Sequence, residues 1–170
     1  MRSLFLATAL ALWGLAQSAS AAPVTIAPVA LSPEFQTNVH NDLGDREGAY
    51  LADEVTRRVS LALTREGAEV TANAPVTIEI TIIKANPNRP TFEQMGRPPY
   101  PDFTSFSLGG AELHGVIRSA DGRVLAEVTK SKYDVFMDQF VQTSATWGAA
   151  NRAIDQFARD MAAAYRAHAG

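Results

Sequence analysis

The sequence predicts an α+β fold: a mainly antiparallel sheet of four to five strands with two helices packed on one face. Three observations carry this expectation. Residues 76–83 alternate apolar and polar side chains with a period of two. Two long segments, 46–66 and 145–167, repeat apolar residues every three or four positions. Ala120-Asp121-Gly122-Arg123 separates two strand-like runs, and Asp-Gly suits a turn that needs positive φ. Strands and helices mix without regular βαβ alternation, which argues against a doubly wound parallel sheet.

Taken in order, the run 24–31 is short, apolar and β-branched, so it reads as a strand, with Pro28 pointing to an edge or a bulge. Residues 32–45 read as polar and turn-rich. The helix at 46–66 has Asp45 as its expected N-cap and Glu47 in the first turn, where the helix dipole favours an acid. Leu51, Val55, Val59, Ala62 and Leu63 form its apolar stripe, and Gly67 follows as a left-handed C-cap. A short strand is expected near 68–72. The clearest strand is 76–83, with Val76, Ile78, Ile80 and Ile82 on one face and Thr77, Glu79 and Thr81 on the other. The hairpin joins 108–119 to 123–133. Gly109-Gly110 reads as a bulge or bend at its start. The closing helix at 145–167 carries Trp147, Ala150, Ile154, Phe157, Met161, Ala164 and Tyr165 on its apolar side, with Ser144 as its cap.

The first 21 residues read as a secretory signal peptide. Arg2 is the positive n-region, residues 4–15 the apolar h-region, and Ala19-Ser20-Ala21 an A-x-A site with cleavage before Ala22. The expected organisation is therefore a signal peptide at 1–21 and one α+β domain at 22–170, exported to the periplasm. The chain has 15 basic and 18 acidic residues and a net charge of −3. Arg2 is the one charge in the leader, so the remainder is slightly more acidic, and no basic run occurs. That argues against nucleic acid as a partner, because such binding depends on Lys/Arg patches. There is no cysteine. Thiol catalysis, cysteine metal sites and a lipid anchor on an N-terminal cysteine are excluded with it. After the leader, no apolar stretch approaches the roughly 20 residues of a spanning helix.

Motifs for chemistry are scarce. G-x-S-x-G, H-E-x-x-H, the P-loop and G-x-G-x-x-G are all absent. His114 sits mid-strand and reads as a half-exposed residue paired across strands. The cluster from His40 to Glu47 offers oxygen ligands for a hard cation but lacks the EF-hand spacing, and a turn with a helix cap accounts for it. The expectation is no metal, no cofactor and no enzymatic activity.

The segment 86–106 is the best functional candidate. It holds five prolines, five aromatic or methionine side chains and two arginines. Prolines preset extended backbone and lower the ordering cost of binding, while aromatics, Met and Arg favour interface hot spots. Arg89, Phe92, Met95, Arg97, Tyr100 and Phe103 are the expected partner-binding residues. The same aromatics folded back against the sheet would be a satellite core. A second aromatic patch at Tyr133, Val135, Phe136, Met137, Phe140 and Val141 carries the same two readings.

The layout resembles small bacterial periplasmic or lipoprotein accessory domains of ABC-type transport and outer-membrane assembly systems. The matching pieces are the strand at 24–31, Leu63-Thr64-Arg65-Glu66-Gly67, the strand at 76–83, the turn at 120–126 and the helix at 149–165. Many such proteins carry a lipidated cysteine, which this chain lacks. The resemblance implies a non-catalytic accessory role and supplies no active-site residues. The leading expectation is a soluble periplasmic accessory protein that binds another envelope protein. The alternatives are a small-ligand carrier, with the loop as a lid over the open sheet face near His114 and Glu79, and an envelope hydrolase using His114 or His40 with a nearby acid.

Overall fold

The computed structural model describes residues 23–135 and 145–169. The signal-peptide reading, the Ser144 cap and the Phe136, Met137, Phe140 and Val141 part of the second aromatic patch lie outside the described residues. The described part is a five-stranded, mostly antiparallel sheet with four helices, an α+β arrangement.

The strands are β1 (Val24–Ile26), β2 (Ala30–Leu31), β3 (Val76–Asn86), β4 (Gly110–Arg118) and β5 (Val124–Tyr133). They run in the order β1-β3-β4-β5, with β2 also paired to β3. The run 24–31 is thus two strands rather than one. Pro28, which has no N–H to give a ladder, lies between them. Both pieces run parallel to β3, while β3, β4 and β5 form an antiparallel meander. The expected strand at 68–72 reduces to one bridge, Val24 to Val70.

Strand β3 extends three residues past its expected end. Val76, Ile78, Ile80 and Ile82 are buried as the period of two requires. A register shift between Ile82 and Lys84 then inserts one residue, so the next buried position is Ala85. The bulge turns the end of the strand and aims it at the segment that follows.

The helices are α1 (Pro33–Asn38), α2 (Asp45–Arg65), α3 (Phe92–Met95) and α4 (Gly148–Ala169). The expectation of a turn-rich 32–45 is overturned here. Ser32 caps α1 by accepting from the Phe35 N–H at 3.1 Å, Pro33 opens the helix, and a π-helical turn (Val39–Leu43) continues it. Phe35, Val39 and Leu43 recur every four residues and all are buried. That stripe is short and surrounded by polar residues, which is why it reads as a loop. Helix α2 begins at Asp45 with Gly44 (φ 100°) in the cap position, so Asp45 is its first residue and not its N-cap.

Helices α2 and α4 cover one face of the sheet. The apolar stripe of α2 is buried throughout, as are Ala150, Ile154, Phe157, Met161 and Tyr165 of α4. Gly115 of β4 sits beneath α4: a Cβ there would lie 2.6 Å from Met161 Sδ and 2.8 Å from the Phe157 ring. The absence of a side chain lets the helix lie close on the strand. Polar links frame this contact. Arg58 of α2 joins Glu54 and reaches Asp155 of α4, and Lys130 of β5 pairs with Asp160 at 2.6 Å. Burial alone would raise the Glu54 carboxyl, but hydrogen bonds and charge from Arg57 and Arg58 outweigh it and hold the group below the usual carboxylate range.

The other sheet face is the more polar and exposed one. It carries Glu79 paired with Arg118 at 2.9 Å and His114 paired with Glu127 at 3.6 Å. His114 is therefore a half-exposed sheet residue with a cross-strand partner.

Candidate functional site

The segment between β3 and β4 is a built structure rather than a slack loop. It begins at Pro87, since Asn86 belongs to β3. Its foundation is Asn88, which is fully buried. The Asn88 N–H donates to the Thr146 carbonyl at 2.6 Å, and its carbonyl accepts from Ser107 N–H at 3.0 Å. Its side-chain oxygen accepts from the Ala149 N–H at 2.7 Å, satisfying a free donor at the start of α4. Its amide nitrogen donates to Asp134 at 3.0 Å, and Asp134 accepts from Arg152 of α4 at 2.7 Å. One side chain thus ties the two ends of the loop, the end of β5 and the first turn of α4. Gly109 makes room for it, since a Cβ there would stand 2.4 Å from the Asn88 side-chain oxygen. That contact explains the Gly109 of the Gly-Gly pair.

Arg89 forms the next layer. Its guanidinium donates to the Phe103 carbonyl at 2.8 Å and lies over the Phe106 and Phe103 rings, 4.3 and 5.3 Å from their centroids. It acts as a clamp inside the loop. Thr91 and Gln94 then form a reciprocal capping box that starts α3, with bonds of 3.2 and 3.1 Å. The Gln94 amide donates to Asp42 at 2.7 Å, and Arg97 donates to the Asn41 carbonyl and to Glu93. These bonds join the loop to the turn after α1. Asp102 closes the far side by accepting from Thr104 and Ser105. The Thr104 hydroxyl is the main reason its carboxyl sits below the ordinary range, with the Thr104 and Ser105 N–H groups adding to the effect.

The six expected contact residues divide by position. Phe92, Tyr100 and Phe103 are 80%, 66% and 54% exposed. Met95 is half-buried, Arg89 is engaged within the loop, and Arg97 is engaged with the neighbouring turn. Phe92 lines a separate cleft of about 270 Å³ with Tyr50 and Trp147. Tyr100 adopts φ 56°, a left-handed conformation rare for a large side chain. The loop neither folds back as core nor presents all six residues outward.

The loop also borders an open cavity of about 480 Å³ against the π-helical turn and the end of β3. Neither His114 nor Glu79 lines it. The expected lid over the open sheet face is corrected accordingly: the loop closes over the end of the sheet, because the β3 bulge and the Asn88 anchor direct it there. Sequence reasoning missed Asn88, Asp134 and Arg152. The pairing of Asn88 with Asp134 spans 46 residues, and no local pattern reports it. Among the described residues, no group of three or more His, Cys, Asp or Glu side chains gathers as metal ligands do.

Residues 11–161 match the family described as a protein of unknown function, DUF3313. The chain belongs to DUF3313. Among solved structures, this DUF3313 chain is similar to a hypothetical protein from Chlamydia trachomatis, with a TM-score of 0.55, 10% identity and coverage of 86% of this chain and 99% of that one. It is also similar to a protein of family DUF330 from Xanthomonas campestris, with a TM-score of 0.50 and 14% identity over 84% and 82% of the two chains. A PelC variant from Paraburkholderia phytofirmans, solved as a dodecamer, aligns with a TM-score of 0.50 and 7% identity over 86% and 87%. At such identities the likeness is one of fold. No curated protein matches.

Proposed function

We propose that this DUF3313 protein is exported and works in the bacterial cell envelope as a non-catalytic accessory protein that binds another protein through the loop tip. The observation that carries the reading is the contrast within the loop. Phe92, Tyr100 and Phe103 stand in solvent on a scaffold whose base is fixed by the buried Asn88 anchor. Exposed aromatics on a preorganised support lose little entropy on binding, which is how interface hot spots gain affinity. The leader pattern at 1–21 supports export, and no described helix is long and apolar enough to cross a membrane. The similar PelC chain forms a dodecamer, so assembly with copies of itself is one form such binding takes.

The test is crosslinking in cells, followed by purification of the tagged, exported chain. The expected result is a mature N-terminus at Ala22 and one stoichiometric envelope partner. A variant with Phe92, Tyr100 and Phe103 all replaced by Ala should lose that partner while keeping its thermal midpoint. Equal capture by the variant, or a large drop in its midpoint, overturns the reading.

A further inference from the structure

The cavity beneath the loop has a chemistry of its own. Its walls include five prolines, Pro87, Pro90, Pro98, Pro99 and Pro101, together with Leu43, Leu108 and the Phe106 ring. Its polar groups are of two kinds. Asp42, Gln94, Arg97, Ser105 and Ser107 are already engaged: Gln94 donates to Asp42, Arg97 to Glu93 and the Asn41 carbonyl, the Ser105 N–H to Asp102, and the Ser107 hydroxyl to the Pro87 carbonyl. The side-chain amides of Asn38 and Asn86 also line it, and neither makes a hydrogen bond among the described residues. At about 480 Å³ the space lies within the roughly 300–1,000 Å³ of small-molecule sites.

The geometry points to a binding site for a neutral saccharide of one or two rings, held by the Asn38 and Asn86 amides. Each amide offers two donors and one acceptor, a set that matches adjacent hydroxyls acting as both acceptor and donor. Proline rings and the Phe106 face provide flat C–H and π surfaces for the apolar side of a sugar ring. Other ligand classes fit less well. An anion finds its arginine already paired with Glu93. A hydrocarbon chain would strip both amides of water without replacing their bonds, at about 1–3 kcal/mol for each unsatisfied group. A peptide strand would meet five prolines that have no N–H for its carbonyls.

The inference stands apart from tip binding, and one experiment separates them. The full exported chain is titrated with maltose, cellobiose and N,N′-diacetylchitobiose. The comparison ligands are glucuronic acid, glucosamine and trialanine. Asn and Gln side-chain amide resonances are followed by NMR. The expected result is saturable shifts of the Asn38 and Asn86 amide signals with at least one neutral disaccharide. Affinity should fall about tenfold in Asn38→Ala and in Asn86→Ala, the size expected for one lost hydrogen-bonding group. Asn38→Asp keeps the shape, removes the donors and should weaken binding similarly, which guards against an Ala variant that misfolds. The tip variant of Phe92, Tyr100 and Phe103 should bind the saccharide as the parent does. No saturable shift with any neutral saccharide overturns the assignment. So does tighter binding of a charged ligand or of the peptide, or binding that all the asparagine variants retain.

Discussion

The helix-covered face of the sheet and the loop beyond its end are built on opposite rules. On the covered face, Ile78, Leu113, Ile117, Phe157 and Met161 are wholly removed from water. Nothing there depends on a single bond, and the cohesion is the sum of apolar burial and close packing. In the loop, the large apolar side chains are outside, and order comes from a few polar contacts centred on Asn88. The difference separates what holds the fold together from what its surface exposes. The covered face sets how firmly the protein folds, and the loop sets what its surface offers.

The largest break in that contrast comes from the core. Phe157→Ala leaves a void under α4 and should cost about 3–5 kcal/mol in a denaturant titration. A loss near the surface range would mean the two faces are not so different. Asn88→Ala is the sharpest test of the loop's rule. It strands the Ala149 N–H and one Asp134 oxygen, and should cost about 1–3 kcal/mol while raising hydrogen exchange at 87–109. Unchanged exchange there would show that the anchor is not what orders the loop.

Tyr100→Gly relieves the left-handed backbone strain, roughly 1–2 kcal/mol. The greater chain entropy of glycine takes back about 0.5–1 kcal/mol. The expected outcome is a stability gain of up to about 1.5 kcal/mol by denaturant titration, accompanied by weaker partner capture. Phe103→Ala should change stability by no more than about 0.5 kcal/mol, since surface substitutions usually fall in that range.

Acid is the gentlest probe. The carboxyls of Glu54, in the helix pair, and Asp102, in the loop, are both depressed in the folded chain. Their contributions are therefore full above the unfolded carboxylate pKa, near pH 4, and are lost as pH falls through the lower folded values. A pH series of melting curves should be flat from pH 7 to 5 and decline below about pH 4. A fall beginning near pH 6 would point to other groups.

The parts of this architecture that a sequence reading reaches are those with a long, regular period. Helix α2, helix α4, strand β3 and the Asp121-Gly122 hairpin all follow from spacing and turn chemistry, and the stripe residues of α2 are buried. Helix α1 was within reach, because Ser32-Pro33-Glu34 is a start signal, but its stripe of Phe35, Val39 and Leu43 is thin. The loop was legible as composition only. Its prolines, aromatics and arginines stand out in the sequence, but which of them face water does not.

By itself, then, the sequence determined the elements with a strong period, the two helical stripes, the absence of thiol chemistry and the leader pattern. Periodicity is a local record of which side of a segment meets the core. Tertiary structure alone decided that β1 and β2 run parallel to β3, that Arg89 turns inward while Phe92 turns outward, and that Asn88 bonds Ser107, Asp134 and the start of α4. Those outcomes depend on contacts between residues far apart in the chain. The free energy of one such contact is set by the geometry of the assembled fold and leaves no mark on neighbouring residues.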